Sequence, residues 1–173
     1  MSTPILTTGR LILRPPVAED AQAIAEILNL WEVTQWLTTV PFPYTLADVE
    51  EFLARLEASP DRLYWLIEID GMAMGAISLR LDLGFFLAPD AHGKGVMTEA
   101  AHAVLDWHFS TSDEDVVSGH HVGNDASARV QEKLGFSRTH DETHEKLSTR
   151  QAVAVIRTIL TRERWDALRN SRQ

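Results

Sequence analysis

The sequence predicts a mixed α/β domain with a largely antiparallel sheet. Three observations carry that prediction. Short apolar runs with strand periodicity alternate with longer runs of helical periodicity along the chain. Strand-like runs follow one another from Tyr64 to Pro89 with only short connections, which demands antiparallel pairing. Between Leu83 and Phe109 a strand-like run passes through a glycine loop straight into an amphipathic helix. The chain has 173 residues, 45% of them hydrophobic, enough for one core and few for two, so residues 1–173 are taken as a single domain.

The elements follow in order. "RLILR" (Arg10–Arg14) alternates as a strand does and is stopped by Pro15 and Pro16. "VAEDAQAIAEIL" (Val17–Leu28) reads as a helix, with Glu19 and Asp20 suiting the dipole at its start and Ala21, Ile24, Ile27 and Leu28 on one face. Trp31–Tyr44 is aromatic, proline-rich and expected to be irregular. Thr45 and Asp48 form a capping-box start for a second helix, with Val49, Phe52, Leu53 and Leu56 inward and an end by Pro60. "YWLIEIDGMAMGAISLRL" is a hairpin turning at Asp70-Gly71, a pair suited to a type I′ turn. "LGFFLAP" is the next strand, Ala91–Gly95 a loop, and Thr98 to about Phe109 a helix. "VVSGHHV" is a strand, Asn124–Leu134 a helix closed by Gly135, and Ala152–Leu160 a late strand before a terminal turn packed down by Trp165.

Composition narrows the function. With no cysteine, disulfide scaffolds, thiolate zinc sites and cysteine nucleophiles are excluded. A net charge of −9 argues against a general nucleic-acid binder; it suits cationic partners such as amines, or simply keeps the chain soluble. There is no run of about 18 consecutive apolar residues, so no membrane partner is expected. "MSTPILTTGRLILRPP" lacks the pattern of a signal peptide, and with the missing cysteine this leads to a cytoplasmic expectation.

The glycine loop is the first functional candidate. Gly93 and Gly95 allow a sharp turn and a close approach. The loop precedes a helix whose first N–H groups lack intrahelical partners, Lys94 adds charge and Thr98 a hydroxyl, so a phosphate or pyrophosphate is the natural guest. It is not a P-loop, because Val96 follows Gly95, and it carries only two of the three glycines of a dinucleotide fingerprint. An ordinary glycine turn explains the loop equally well on its own.

"GNDASARVQEKLGF" (Gly123–Phe136) adds Asn124 and Ser127 at the mouth of a short helix. Together with "TGRLILRPPVAEDA", "PFPYT", "GFFLAPDAHGKGVMTEA" and "LTRERW", in that family's order over nearly the whole chain, it resembles the GCN5-related N-acetyltransferase (GNAT) superfamily. The resemblance is nearest to the RimJ/RimL-type branch, which acetylates ribosomal-protein N-termini. It implies a sheet splayed between its fourth and fifth strands, with acetyl-CoA as co-substrate and its pantetheine arm in the gap. The amides around Gly93, Lys94, Gly95, Val96, Met97 and Thr98, after His92 at the head of the motif, would hold the pyrophosphate. Phe86 and Leu87 would offer backbone groups to the arm, with Asn124 on its other side. Dimers are common among members, so the resemblance allows a homodimer and leaves the oligomeric state open.

The chain departs from the family pattern. His92 replaces an arginine or glutamine, and Met97 replaces a small residue, narrowing the approach at the helix start. Gln131 stands where many members carry a tyrosine acid, and Gly119 where some carry a glutamate base. By the RimJ/RimL pattern Ser127 becomes the acid that protonates the leaving sulfur, with helix capping as its alternative role. His121 shares the face of Gly119 by strand alternation and is the candidate base, directly or through water. Trp31, Trp36, Phe42 and Tyr44 would border the acceptor amine, although core packing explains Trp31 and Trp36 as well. Glu32 and Asp48 are candidate anchors for a cationic acceptor. "HDETH" (His140–His144) lacks the zincin order and is expected to be a solvated charged connection, so no metal is assigned. The same features leave open a domain that binds CoA without transferring acetyl, or a phosphate module for another nucleotide.

Overall fold

The strands run Leu6–Thr7 (β1), Ile12–Arg14 (β2), Leu63–Ile69 (β3), Met72–Leu79 (β4), Asp82–Leu87 (β5), Val116–His121 (β6), Ser137–Lys146 (β7) and Gln151–Leu160 (β8). The helices are Ala21–Leu28 (α1), Trp31–Thr34 (α2), Leu46–Glu57 (α3), Val96–Thr111 (α4), Asp125–Leu134 (α5) and Arg162–Asn170 (α6). This computed structural model describes residues 3–59, 61–79 and 82–171, so the helix stop expected at Pro60 lies outside the described residues. The strands form one sheet in the order β1-β2-β3-β4-β5-β6-β8-β7. Neighbours are antiparallel except β5 and β6, which are parallel and joined by α4 as the crossover helix.

Strand alternation divides the apolar residues between two cores. Trp65 and Ile67 face one side and Leu66 the other, and all three are 0% exposed. On the first side α4 lays Val96, Ala100, Ala101, Val104 and Leu105 against the sheet, and Trp165 of α6 closes the end by stacking on Phe109. On the second side α1, Val33, Tyr44 and Val49 pack over Leu66. Arg14 pins the start of this layer, pairing with Asp20 and with Glu68 of β3, each at 2.8 Å.

Several expectations change in detail. The first helix opens as a 3-10 turn over Ala18–Asp20 before α1 proper, and Trp31–Thr34 makes one helical turn in a stretch expected to be irregular. Helix α4 starts at Val96, two residues before Thr98, because Gly95 takes the left-handed conformation directly ahead of it. The Asp70-Gly71 turn has positive φ at both residues, as a type I′ turn requires. "HDETH" is not a connection but the middle of the ten-residue strand β7. That strand lies at the sheet edge, where pairing with β8 alone supplies its order and its side chains stay polar and largely exposed.

Candidate active site

Among the described residues, strands β5 and β6 touch at two rungs, Asp82↔Val117 and Leu83↔Ser118. Beyond Leu83, β5 stays with β4 as far as Leu87 while β6 stays with β8 as far as His121, so the two strands part. Ser118 Oγ donates to Leu83 O at 2.8 Å just before the parting, and Arg157 of β8 reaches Asp82 at 2.8 Å at the closed end. Ala88 N–H donates to Met74 O, so alternation turns the peptide groups of Phe86 toward β4 and those of Phe85 and Leu87 into the gap. Phe86 contributes its ring to the core beneath α1 and α3. His92 Nε2 lies 2.9 Å from Leu87 O, bracing the end of β5.

At the head of the gap, Gly93 and Gly95 have φ of 70° and 72°, a conformation that costs other residues about 1–2 kcal/mol. Among the described residues, no acceptor takes the amide N–H of Gly93, Lys94, Gly95, Val96, Met97 or Thr98. The loop is held from behind: Arg10 Nη2 donates to Lys94 O at 2.7 Å and Arg10 Nε to Glu99 at 2.8 Å. Thr8 Oγ1 donates to the other oxygen of Glu99 at 2.6 Å, and these bonds, Thr8's foremost, hold the Glu99 carboxyl below its ordinary pKa. Val96 and Met97 point into the core, so Met97 does not crowd the outer side of the loop, against the expectation of a narrowed approach.

On the far wall, Asn124 caps α5, its Oδ1 accepting from Ser127 N–H at 3.1 Å. That leaves Ser127 no capping role, and its hydroxyl has no hydrogen-bond partner among the described residues. Gln131 is 1% exposed and stitched at both ends, Nε2 donating to Gly119 O at 3.1 Å and Oε1 accepting from Thr158 at 2.7 Å. A Cβ at Gly119 would sit 3.1 Å from Arg157 Nη1, so the arginine occupies the space over that position.

His121 ends β6 nearly buried, with Nε2 2.9 Å from Thr38 Oγ1. Burial first, then the charges of Lys146, His144 and His120, push its pKa below the ordinary histidine value. It forms the floor of a cleft of about 250 Å³ walled by Trp31, Trp36, Lys146 and Val153. The turn between β7 and β8 makes this cleft by folding onto α2, with Leu147 N–H donating to Thr38 O and Lys146 Nζ to Gln35 O. Tyr44 is not in it. Tyr44 is 7% exposed in the core beneath α1, its main chain clamped by the Asn29 carboxamide. Asp48 is committed to the α3 cap, accepting from Thr45 N–H at 2.7 Å, so it is no acceptor anchor; Glu32 stays exposed on α2. In β7, Glu142 bonds His140 Nε2 at 2.9 Å and His144 Nε2 at 2.7 Å, and no group of three potential metal ligands forms among the described residues.

Residues 10–137 match the family model described as acetyltransferase (GNAT) domain, well over half of the chain. The chain belongs to the GNAT acetyltransferase family. Over 92 residues this GNAT chain is 34% identical to a probable N-acetyltransferase, YjcK, of Bacillus subtilis strain 168; the match covers 53% of this chain and 50% of YjcK. The chain thus spans about half the length of that curated relative. Its fold is similar to a probable acetyltransferase crystal structure, with a TM-score of 0.82 and 21% identity over 94% of this chain and 99% of the other. It is also similar to RimL, a ribosomal L7/L12 α-N-protein acetyltransferase solved with coenzyme A. There the TM-score is 0.78 and the identity 16%, over 91% of this chain and 98% of RimL.

For a GNAT chain, six amides without acceptors among the described residues, beside parted strands, suit a diphosphate with an extended arm behind it. The reading of sequence missed three participants: the Arg10 brace, the Thr38 bond to His121, and Lys146 in the cleft wall. None has a local motif. Each is brought in by a contact between residues far apart in the chain.

Proposed function

We propose that the chain is one acyl-transfer domain that moves the acetyl group of acetyl-CoA to a primary amine by direct attack in a ternary complex, in the cytoplasm. The observation that carries this reading is the row of amides from Gly93 to Thr98, without acceptors among the described residues, at the head of the β5–β6 gap. When bound, acetyl-CoA supplies the acetyl group as an activated thioester. The amides and the start of α4 hold its diphosphate. The Leu87 N–H and the Phe85 backbone groups face the arm from one wall, and the Asn124 side-chain Nδ2 from the other, since the Asn124 main-chain N–H donates to His121 O and Leu87 O is bonded to His92. Lys94 and the Thr98 hydroxyl lie at the same seat, and His92 keeps the end of β5 in place. The amine enters from the cleft between Trp31 and Trp36. His121, neutral at pH 7, takes a proton from the amine, directly or through water, and the Ser127 hydroxyl gives one to the departing sulfur; Ser127 regains its proton from solvent and His121 releases its own there, so the pair is restored.

Gly119 and Gln131, which leave the chain without the family's glutamate and tyrosine, favour a second reading, a CoA sensor without transfer. A thiol-release assay over a panel of amines and peptides separates the two. Transfer predicts acceptor-dependent release of CoA, and a fall of about 100-fold or more in kcat for Ser127→Ala with acetyl-CoA binding intact. Saturable acetyl-CoA binding with no release across the panel would establish the sensor instead.

A further inference from the structure

The cleft between α2 and the β7–β8 turn carries a charge that the rest of the fold leaves unbalanced. Lys146 is 9% exposed, yet its ammonium meets only neutral groups: Gln35 O at 3.1 Å and the face of Trp31, 5.3 Å to the ring centroid. Among the described residues no carboxylate pairs with it. A buried ammonium with one carbonyl partner is under-satisfied, since it carries three donors and has been taken out of water. The chain has 25 acidic residues, but none lines this cleft; its titratable groups are Lys146 and His121. On β7, Glu142 shares the face of Lys146 but is spent on His140, His144 and Arg157, and Glu145, on the opposite face by alternation, pairs with Arg150. Two tryptophans flank the opening, Trp31 43% and Trp36 36% exposed, each more open than such rings are when they serve only as core.

We infer that the acceptor is a small amine bearing its own carboxylate, an α-amino acid with an apolar or aromatic side chain. The carboxylate sits on Lys146 Nζ and the side chain lies against Trp31 and Trp36. This rests on the transferase reading and names its substrate class. The cleft's volume of about 250 Å³ suits one amino acid, below the range of drug-sized pockets. A carboxylate on Lys146 Nζ offsets the repulsion that the ammonium would otherwise exert on an incoming amine.

The test compares L-phenylalanine, L-leucine and L-tryptophan with their carboxamides, and with a dipeptide amide whose first residue is glutamate. Two readouts are used on the full chain: calorimetric binding in the presence of CoA, and CoA release from acetyl-CoA. The expected result is a preference of about tenfold or more for at least one free acid over its amide. Lys146→Met should abolish that preference and Lys146→Arg should retain much of it. Equal handling of acid and amide by the unaltered protein overturns the inference whether or not any variant folds. So does a preference that survives intact in Lys146→Met, or a clear preference for the acidic dipeptide amide over every free amino acid. Lys146-dependent binding of the acids without CoA release would retire the transferase reading and leave the carboxylate site standing. Release with carboxylate-free amines alone would do the reverse.

Discussion

His121 is the residue whose state the fold alters in a measurable way. Burial and the neighbouring Lys146, His144 and His120 disfavour its charged form, so its pKa lies below the ordinary value of 6.5. The sign follows from proton counting. The unfolded chain binds this proton more readily than the folded one, so the stability due to His121 is complete above about pH 6.5. It falls as acid takes the pH from there down through the folded value. An NMR titration of the imidazole should give a midpoint under 6.5. If His121 is the base, the acid limb of kcat/KM should follow that midpoint rather than 6.5, and an acid limb at or above 6.5 would remove it from the role. Ser127 is the opposite case. Its hydroxyl is unengaged among the described residues because Asn124 already caps α5, so removing it tests chemistry rather than helix stability.

At the scale of elements, the glycine loop and α4 do not hold their pose alone. Arg10, in the turn between β1 and β2, ties Lys94 O to Glu99, so the N-terminal strands act as a splint behind the loop. Arg10→Ala should weaken acetyl-CoA affinity about tenfold by titration while melting changes little, since the guanidinium is half exposed and its ion pair adds less than about 1 kcal/mol. Unchanged affinity would show that the loop is rigid by itself. The loop, its two glycines and the helix after it were legible in the sequence, because local chemistry writes them: left-handed glycines, a helix start, a run of small and apolar residues. Strand β7 was not. "SRTHDETHEK" has no apolar alternation to read, and its conformation comes from pairing with β8, which no window of sequence contains. Tyr44 was misplaced for a related reason. Its aromatic, proline-rich setting reads as a surface loop, whereas Asn29, the residue that ends α1, clamps it into the core.

For the molecule as a whole, the decisive feature is where β5 and β6 stop pairing. The order of elements was readable, and the resemblance supplied the splay, but the depth of the opening is a tertiary property. Arg157 sets one limit to it by spanning from β8 across the bare Gly119 position to Asp82. Asp82→Asn should lower stability by no more than about 1 kcal/mol, because Asp82 is 44% exposed. Hydrogen exchange should nevertheless quicken at the Asp82↔Val117 and Leu83↔Ser118 rungs, and unaltered exchange there would mean that backbone pairing alone ends the gap. The anion seat proposed ahead of α4 has a different consequence. Being made of peptide nitrogens, it is specified by torsion angles at two positions and by the Arg10–Glu99 brace behind them, more than by the side chains at the seat itself. Lineages descending from this chain are therefore free to rewrite the lettering around those glycines, and a search for the cofactor's grip among shared side chains would overlook what is actually inherited.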